Sequence, residues 1–219
     1  DEFLSLPDKG LFREKYQTTV LTNDKFNSRK KIGKLKLITF KSESFIFKFI
    51  NIIFSFIQLK PFQLGYFYSY EIDNFVKKNY KNFDIIFCQS IRVAPYIINL
   101  KFKKKILDMG DLYSNNYFQT FKTKSIFNPV KIIYFLESLL IKKYENYCLK
   151  KFHKILLFSK KEIKTLKINK QKIVQINFGV NKISKKFSYS KKNNKIIFIG
   201  NIKYLPNKIA CNNFINNIF

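Results

Sequence analysis

Apolar runs without polar alternation recur along the chain, at Thr18–Leu21, Leu35–Phe40, Asp84–Cys88, Lys105–Met109, Lys154–Phe158, Lys172–Ile176 and Ile196–Ile199. Runs of this kind read as parallel strands covered on both faces. Helical periods fill most of the intervals. Tyr70–Tyr80 is one and Ile91–Leu100 a shorter one. Val130–Lys151 is the longest, entered through Asn128-Pro129, an N-cap followed by a first-turn proline. Ser159-Lys160-Lys161-Glu162 has the form of a capping box and opens a helix to about Lys167. Strands alternating with helices predict a doubly wound α/β sheet.

The most apolar stretch is Ser44 to Leu59, where Phe45, Phe49, Ile52, Ile53 and Phe56 fall at helical spacing. It is shorter than the roughly 20 apolar residues of a membrane span and carries Lys48 and Asn51. The spacing favours a core-facing helix. The alternative is an interfacial helix lying on a bilayer.

Near the end of the chain the pattern changes. Residues 181–194 are polar, basic and poor in aliphatics, and read as a linker. They divide the chain into a first domain over 1–180 and the start of a second over 195–219. The second opens with a strand run closing on Gly200-Asn201, then Tyr204, Pro206, Asn207 and a helical pattern. A strand, a glycine turn and a helix start form a phosphate-binding corner, because glycine lets backbone approach the anion and the helix N-terminus presents free N–H groups. The chain starts at Asp1 and stops about one helix after this corner. We therefore expect it to be a piece of a longer protein, inactive by itself.

Composition narrows the classes. The net charge of +28 invites a nucleic-acid reading, but there are only three arginines among 42 basic residues. Specific readers of bases rely on arginine for bidentate contacts. Lys, Asn, Ile and Phe together exceed half the chain, which is the signature of A/T-rich codons. No specific nucleic-acid partner is expected, although a basic face still attracts anionic headgroups and nucleotide phosphates. Cys88, Cys148 and Cys211 are widely spaced, and His153 is the lone histidine. This excludes a disulfide framework and a histidine-rich metal cluster and fits a reducing compartment.

Four places could carry chemistry. Ser90 and Arg92 follow a strand, where open α/β sheets bind ligands, and a guanidinium suits a phosphate or carboxylate; a surface arginine capping a loop is the alternative. Asp108 and Asp111 sit three apart at the end of the next strand, placed to orient a sugar hydroxyl or act as a base, with an Asx turn as the plainer reading. Glu137 and Glu145 lie eight apart on one side of the long helix with Tyr144, and ion pairs with Lys142 and Lys143 are favoured over catalysis. Gly179 and Gly200 make two corners flanking the linker and suggest a cleft between domains.

The order of these segments resembles bacterial glycosyltransferases of family 4, with the GT-B fold, and among them the sugar transferases of exopolysaccharide clusters. The matching pieces are Lys60-Pro61-Phe62-Gln63 with Tyr66 and Tyr68-Ser69; Phe83 to Ile86 through Ser90, Arg92, Ala94, Pro95 and Tyr96; Leu107-Asp108 with Asp111; Glu137, Tyr144-Glu145 and Ile155–Ser159 with Glu162; Phe178-Gly179-Val180-Asn181; and Phe198, Gly200, Asn201, Tyr204, Pro206 and Asn207. The departures are Phe178 for Asn and Asn181 for Asp at the hinge, and no histidine where many relatives carry a catalytic one. The likeness implies a Rossmann-like first domain holding the acceptor and the opening of a second holding the donor. It implies transfer of a sugar from a nucleotide-sugar to a glycan or lipid-linked acceptor in cell-surface polysaccharide synthesis. Gly200, Asn201, Tyr204 and Asn207 would grip the donor, Asp108 or Asp111 would serve as base, and Ser90, Arg92 and Gly179 would line the cleft. No metal or cofactor is required beyond the nucleotide-sugar. The expected location is cytoplasmic, with peripheral contact at an anionic membrane. The competing reading is a non-catalytic basic protein that binds membrane surfaces or nucleic acid.

Overall fold

A computed structural model describes residues 16–166, 170–177 and 196–218. The chain divides into two compact units, one ending at Asn177 and one running from Phe178 to Phe219. The Gly179 corner and the 181–194 linker lie outside the described residues.

The first unit opens with β1 (Thr18–Asp24), β2 (Ser28–Ile32) and β3 (Leu35–Lys41) in the order β1-β3-β2. β1 runs parallel to β3, and β2 runs antiparallel to it. β2 was not expected. Its Ser-Arg-Lys-Lys-Ile sequence is basic and exposed, so it is held by ladder bonds rather than by burial. The β2–β3 turn uses Gly33 at φ +58°, with open space where a Cβ would stand. Gly33→Ala should cost about 1 kcal/mol, from the left-handed backbone alone; a larger drop in the urea midpoint would show that the turn has partners beyond its backbone.

Three helices follow: α1 (Phe45–Ile57), α2 (Phe62–Tyr66) and α3 (Tyr70–Asn79). Then come β4 (Ile85–Gln89), β5 (Lys104–Gly110), α4 (Tyr113–Thr123), α5 (Val130–Lys151), β6 (Lys154–Leu157), α6 (Lys160–Thr165) and β7 (Ile173–Gln175). β4-β5-β6-β7 form an all-parallel sheet. The first unit is thus an α/β fold with a Rossmann-like parallel sheet, as the pattern predicted. Ile91–Leu100 is shorter than expected and becomes a 3₁₀ turn over Ile91–Tyr96. Pro95 inside it supplies no N–H and disfavours α geometry at the residue before.

Ile38 and Phe40 of β3 share one core with Cys88, Leu107, Ile155 and Leu157 of the parallel strands. α5 contributes Glu137, Ser138, Ile141, Tyr144, Glu145, Cys148 and Leu149 to the buried side, a stripe at helical spacing. Full cover on both faces of the parallel sheet is corrected: Cys88, Leu107 and Ile155 are buried, whereas on the opposite face Ile106 and Leu156 of the inner strands are half-buried and Ile85, Phe87 and Val174 of the edge strands are exposed. The described core lies on the first face, where α5 packs.

The core-facing reading of α1 is also corrected. Its buried residue is Asn51, while Phe45, Phe49, Ile53 and Phe56 are exposed. The polar positions Lys48, Asn51 and Ser55 recur at helical spacing and form the inner side. Tyr70 Oη donates to Asn51 Oδ1 at 3.0 Å. Gly65 of α2 lies so close that a Cβ built on it would stand 2.3 Å from the Asn51 carbonyl oxygen. Backbone approach, rather than apolar packing, fastens this helix.

In the second unit, 196–199 form no strand, contrary to expectation, and Ile196, Ile197 and Ile199 are exposed. A strand exists only through ladder partners, and no described strand pairs with this run. The turn and helix do form, as α7 (Leu205–Asn217) with its proline in the first turn. Asn201 Oδ1 accepts the Lys203 N–H at 2.9 Å, and its carbonyl accepts from Tyr204 N–H and Asn207 Nδ2.

Candidate functional site

The carboxyl ends of β4 and β5 carry the residues the sequence singled out. β4 leads into Ser90 at φ +85°, ψ 147°. A side chain in this region of backbone space costs of the order of 1–3 kcal/mol and survives only where its surroundings impose it. Here the Ser90 N–H donates to the Asp108 carbonyl at 2.7 Å, continuing the ladder past the last paired residues, Gln89 and Asp108. Ser90 Oγ accepts the Arg92 N–H at 3.3 Å and donates to Tyr113 Oη at 3.4 Å.

Arg92 is held from three sides. Its Nε donates to Gln63 Oε1 at 2.7 Å. Its guanidinium lies 4.5 Å from the Phe67 ring and 5.1 Å from the Tyr113 ring. Among the described residues the carboxylate ion pair is Lys77 with Asp73, and none reaches Arg92. The guanidinium is therefore positioned by an amide and two aromatic faces. This arrangement keeps its charge available to an anion.

Gln63 is placed by Glu137. The Glu137 carboxylate accepts the backbone N–H groups of Phe62 at 2.7 Å and Gln63 at 3.1 Å, capping α2 from α5. Gln63 Nε2 is buried, outside good hydrogen-bond geometry but close enough to the Glu137 carboxylate to help hold its charge. Burial pushes the Glu137 pKa up against the pull of these N–H donors. Burial likewise raises the Tyr117 hydroxyl, the Glu137 charge adds to this, and Arg92 opposes it. Arg92, Tyr117 and Glu137 thus belong to one electrostatic neighbourhood.

Asp108 stands on the half-covered face of β5, opposite Leu107 and Met109. One carboxylate oxygen, Oδ1, is buried without a partner. Burial raises its pKa, and the Gly110 backbone N–H pulls it down. Gly110 lies at φ +68°, where the β5–β6 ladder shifts register after Asp108. Asp111 follows immediately and is exposed.

The ion pairs expected of Glu137 and Glu145 are corrected: both carboxylates are buried and cap helices. Glu145 accepts Ser114 N–H at 3.1 Å and Ser114 Oγ–H at 2.5 Å, at the start of α4. The Ser159 box is half formed. Ser159 Oγ accepts the Glu162 N–H at 3.3 Å, but the Glu162 carboxylate turns to Leu112 N–H and Asn115 Nδ2. Glutamates from α5 and α6 together cap α4, whose own N-cap, Leu112, has no side-chain acceptor.

Ser90, Arg92, Asp108 and Asp111 thus all lie at the carboxyl ends of β4 and β5, linked through the Ser90 N–H to Asp108 carbonyl bond, while no ion pair among the described residues joins Arg92 to either carboxylate. Gly200, Asn201, Tyr204 and Asn207 lie together in the second unit, and Gly179 lies outside the described residues. Gln63, Phe67, Tyr113 and Tyr117 were missed as site residues. Gln63 and Tyr113 left a signal: Gln63 stands within the Lys60-Pro61-Phe62-Gln63 segment that carries the family resemblance, and Tyr113 follows two residues after Asp111. Among the described residues no group of His, Cys, Asp and Glu is arranged to hold a metal ion, and no helix is long and apolar enough to cross a membrane. No family model matches the chain, and no curated protein or solved structure matches it.

Proposed function

We propose that this chain belongs to a GT-B-type glycosyltransferase resembling family 4, which moves a sugar from a nucleotide-sugar onto a glycan or lipid-linked acceptor. The observation that carries the reading is Arg92, held by Gln63, Phe67 and Tyr113 at the carboxyl edge of a parallel sheet, two residues after the strained Ser90, whose N–H meets the backbone carbonyl of Asp108. In this reading Arg92 binds a phosphate or carboxylate of the acceptor. Asp108, or Asp111 beside it, accepts the proton of the attacking hydroxyl. Desolvation moves the Asp108 pKa toward the working pH of a general base. The Asn201 turn and the start of α7 meet the donor diphosphate with backbone N–H groups.

Loss of the gene should remove one sugar from the surface glycan of the source organism. The wild-type gene should restore it, and the double variant Asp108→Asn, Asp111→Asn should not. Arg92→Lys keeps the charge but loses the fork and the stacking, so incorporation of labelled sugar should fall about tenfold. An unchanged glycan in the deletion strain would sink the proposal.

A further inference from the structure

We propose that α1 is a docking element for anionic lipid bilayers, with its aromatic side seated among the headgroups. This inference stands on the surface of the first unit and does not depend on sugar transfer.

α1 has ten apolar residues in thirteen, five of them phenylalanine. Phe45 is 80% exposed, Ile46 70%, Phe49 57% and Ile57 68%, whereas Asn51 is 6% exposed. The usual arrangement is thus inverted, with the polar stripe turned to the protein and the apolar side to the surroundings. Scattered exposed apolar residues are ordinary, but a contiguous helical side of them marks an interaction surface. The helix is about 20 Å long at 1.5 Å per residue, too short to cross a bilayer and suited to lying in its surface.

Charge selects the partner. From Ser44 to Lys60 there is no carboxylate, and Lys48 and Lys60 are the charged groups. Glu43, just before, is engaged by the Tyr70 N–H at 2.9 Å. A second exposed apolar stretch, Ile126, Phe127, Val130, Ile132 and Ile133, is preceded by Lys124, contains Lys131 and also lacks carboxylates. Phe62 ties α1 to the helix that begins at Val130: its ring packs 5.6 Å from that of Phe56 and its N–H is held by Glu137 of α5. Carboxylate-free apolar surface set in a chain of net charge +28 complements an anionic bilayer, where each nearby lysine adds attraction. An ordinary protein interface, by contrast, is depleted of lysine.

The chain has no tryptophan, so a single introduced indole reports its own position. The protein should co-sediment with phosphatidylcholine vesicles containing phosphatidylglycerol, and more weakly with phosphatidylcholine alone. Phe49→Trp should shift to the blue on adding these vesicles and be quenched by brominated lipid. Phe26→Trp, placed on the exposed β1–β2 turn, should not move. The triple variant Ile46→Asp, Phe49→Asp, Ile53→Asp should lose about tenfold in vesicle partitioning with an unchanged circular dichroism spectrum. Three results would overturn the inference. One is absence of binding. Another is full binding by the triple variant with unmoved Phe49→Trp emission, which means adsorption through lysines alone. The third is a vesicle-free dimer that the triple variant dissolves, which means that a second copy covers this side.

Discussion

Replacing Glu145 by alanine is expected to lower the stability of the first unit by about 3 kcal/mol, because it strands buried donors and leaves a void. The donors are Ser114 N–H and Ser114 Oγ–H, at the start of a helix whose own N-cap has no side-chain acceptor. Glu145→Gln should largely preserve the fold. Its amide oxygen accepts the Ser114 N–H, and its amide nitrogen donates to Ser114 Oγ. Urea unfolding of the two variants checks this, and equal losses would show that bulk and not capping decides.

The same pair separates with pH. Burial, above all, raises the Glu145 pKa from the usual 4.5 to about 7; the Ser114 donors oppose this and the Glu162 charge adds to it. Between those two values the folded protein holds a proton that the unfolded chain has released. The stabilising contribution is therefore complete below the unfolded value and is lost as pH rises through the folded one. A shift of this size corresponds to roughly 3 kcal/mol. The Glu137 and Asp108 pKa values are also raised and slope the same way, so the total curve is not specific to Glu145. The difference between wild type and Glu145→Gln isolates it: the variant should gain on the wild type from pH 5 to pH 8. Parallel curves would mean that Glu145 does not titrate in this window.

The sequence carried these carboxylates in plain sight. Glu137, Ile141, Tyr144, Glu145 and Cys148 form one helical stripe, and an acid inside an apolar stripe needs buried donors. Abundant neighbouring lysines made ion pairs the nearer explanation. Which helix ends would supply the N–H groups depends on contacts between residues 62 and 137 or 114 and 145, separations that no local pattern encodes. The strands of the parallel sheet were legible because apolar runs bounded by turns are local signals. β2 was not, since a basic edge strand has no apolar run to find. In α1 the period was right and the side was wrong. Periodicity locates a stripe, and where apolar residues outnumber polar ones three to one the rarer stripe can be the anchored one. The site followed the same division. Ser90, Arg92 and Asp108 were legible from their place at or just after strand ends, whereas Gln63 and Phe67 reach Arg92 only through tertiary packing.

Gly65→Ala is the strongest test of how α1 is anchored. A Cβ at this position would stand 2.3 Å from the Asn51 carbonyl oxygen and 2.6 Å from both the Asn51 carbonyl carbon and Ser55 Oγ. Ser55 can rotate away, but the backbone of a helix interior cannot, so α1 and α2 have to separate. Separation stretches the Tyr70–Asn51 hydrogen bond and disturbs α2, which carries Gln63 and is capped by Glu137. Overpacking against backbone places the loss at about 3 kcal/mol or more, well above the roughly 1 kcal/mol expected of Gly33→Ala, where only the turn conformation is strained. Moving α2 also moves Gln63 Oε1 away from Arg92 Nε. The variant should therefore loosen the guanidinium as well as the fold, and hydrogen exchange should rise first in α1 and α2. A Gly65→Ala protein as stable as Gly33→Ala, with unchanged exchange in both helices, would mean that the two helices are not fastened through this contact.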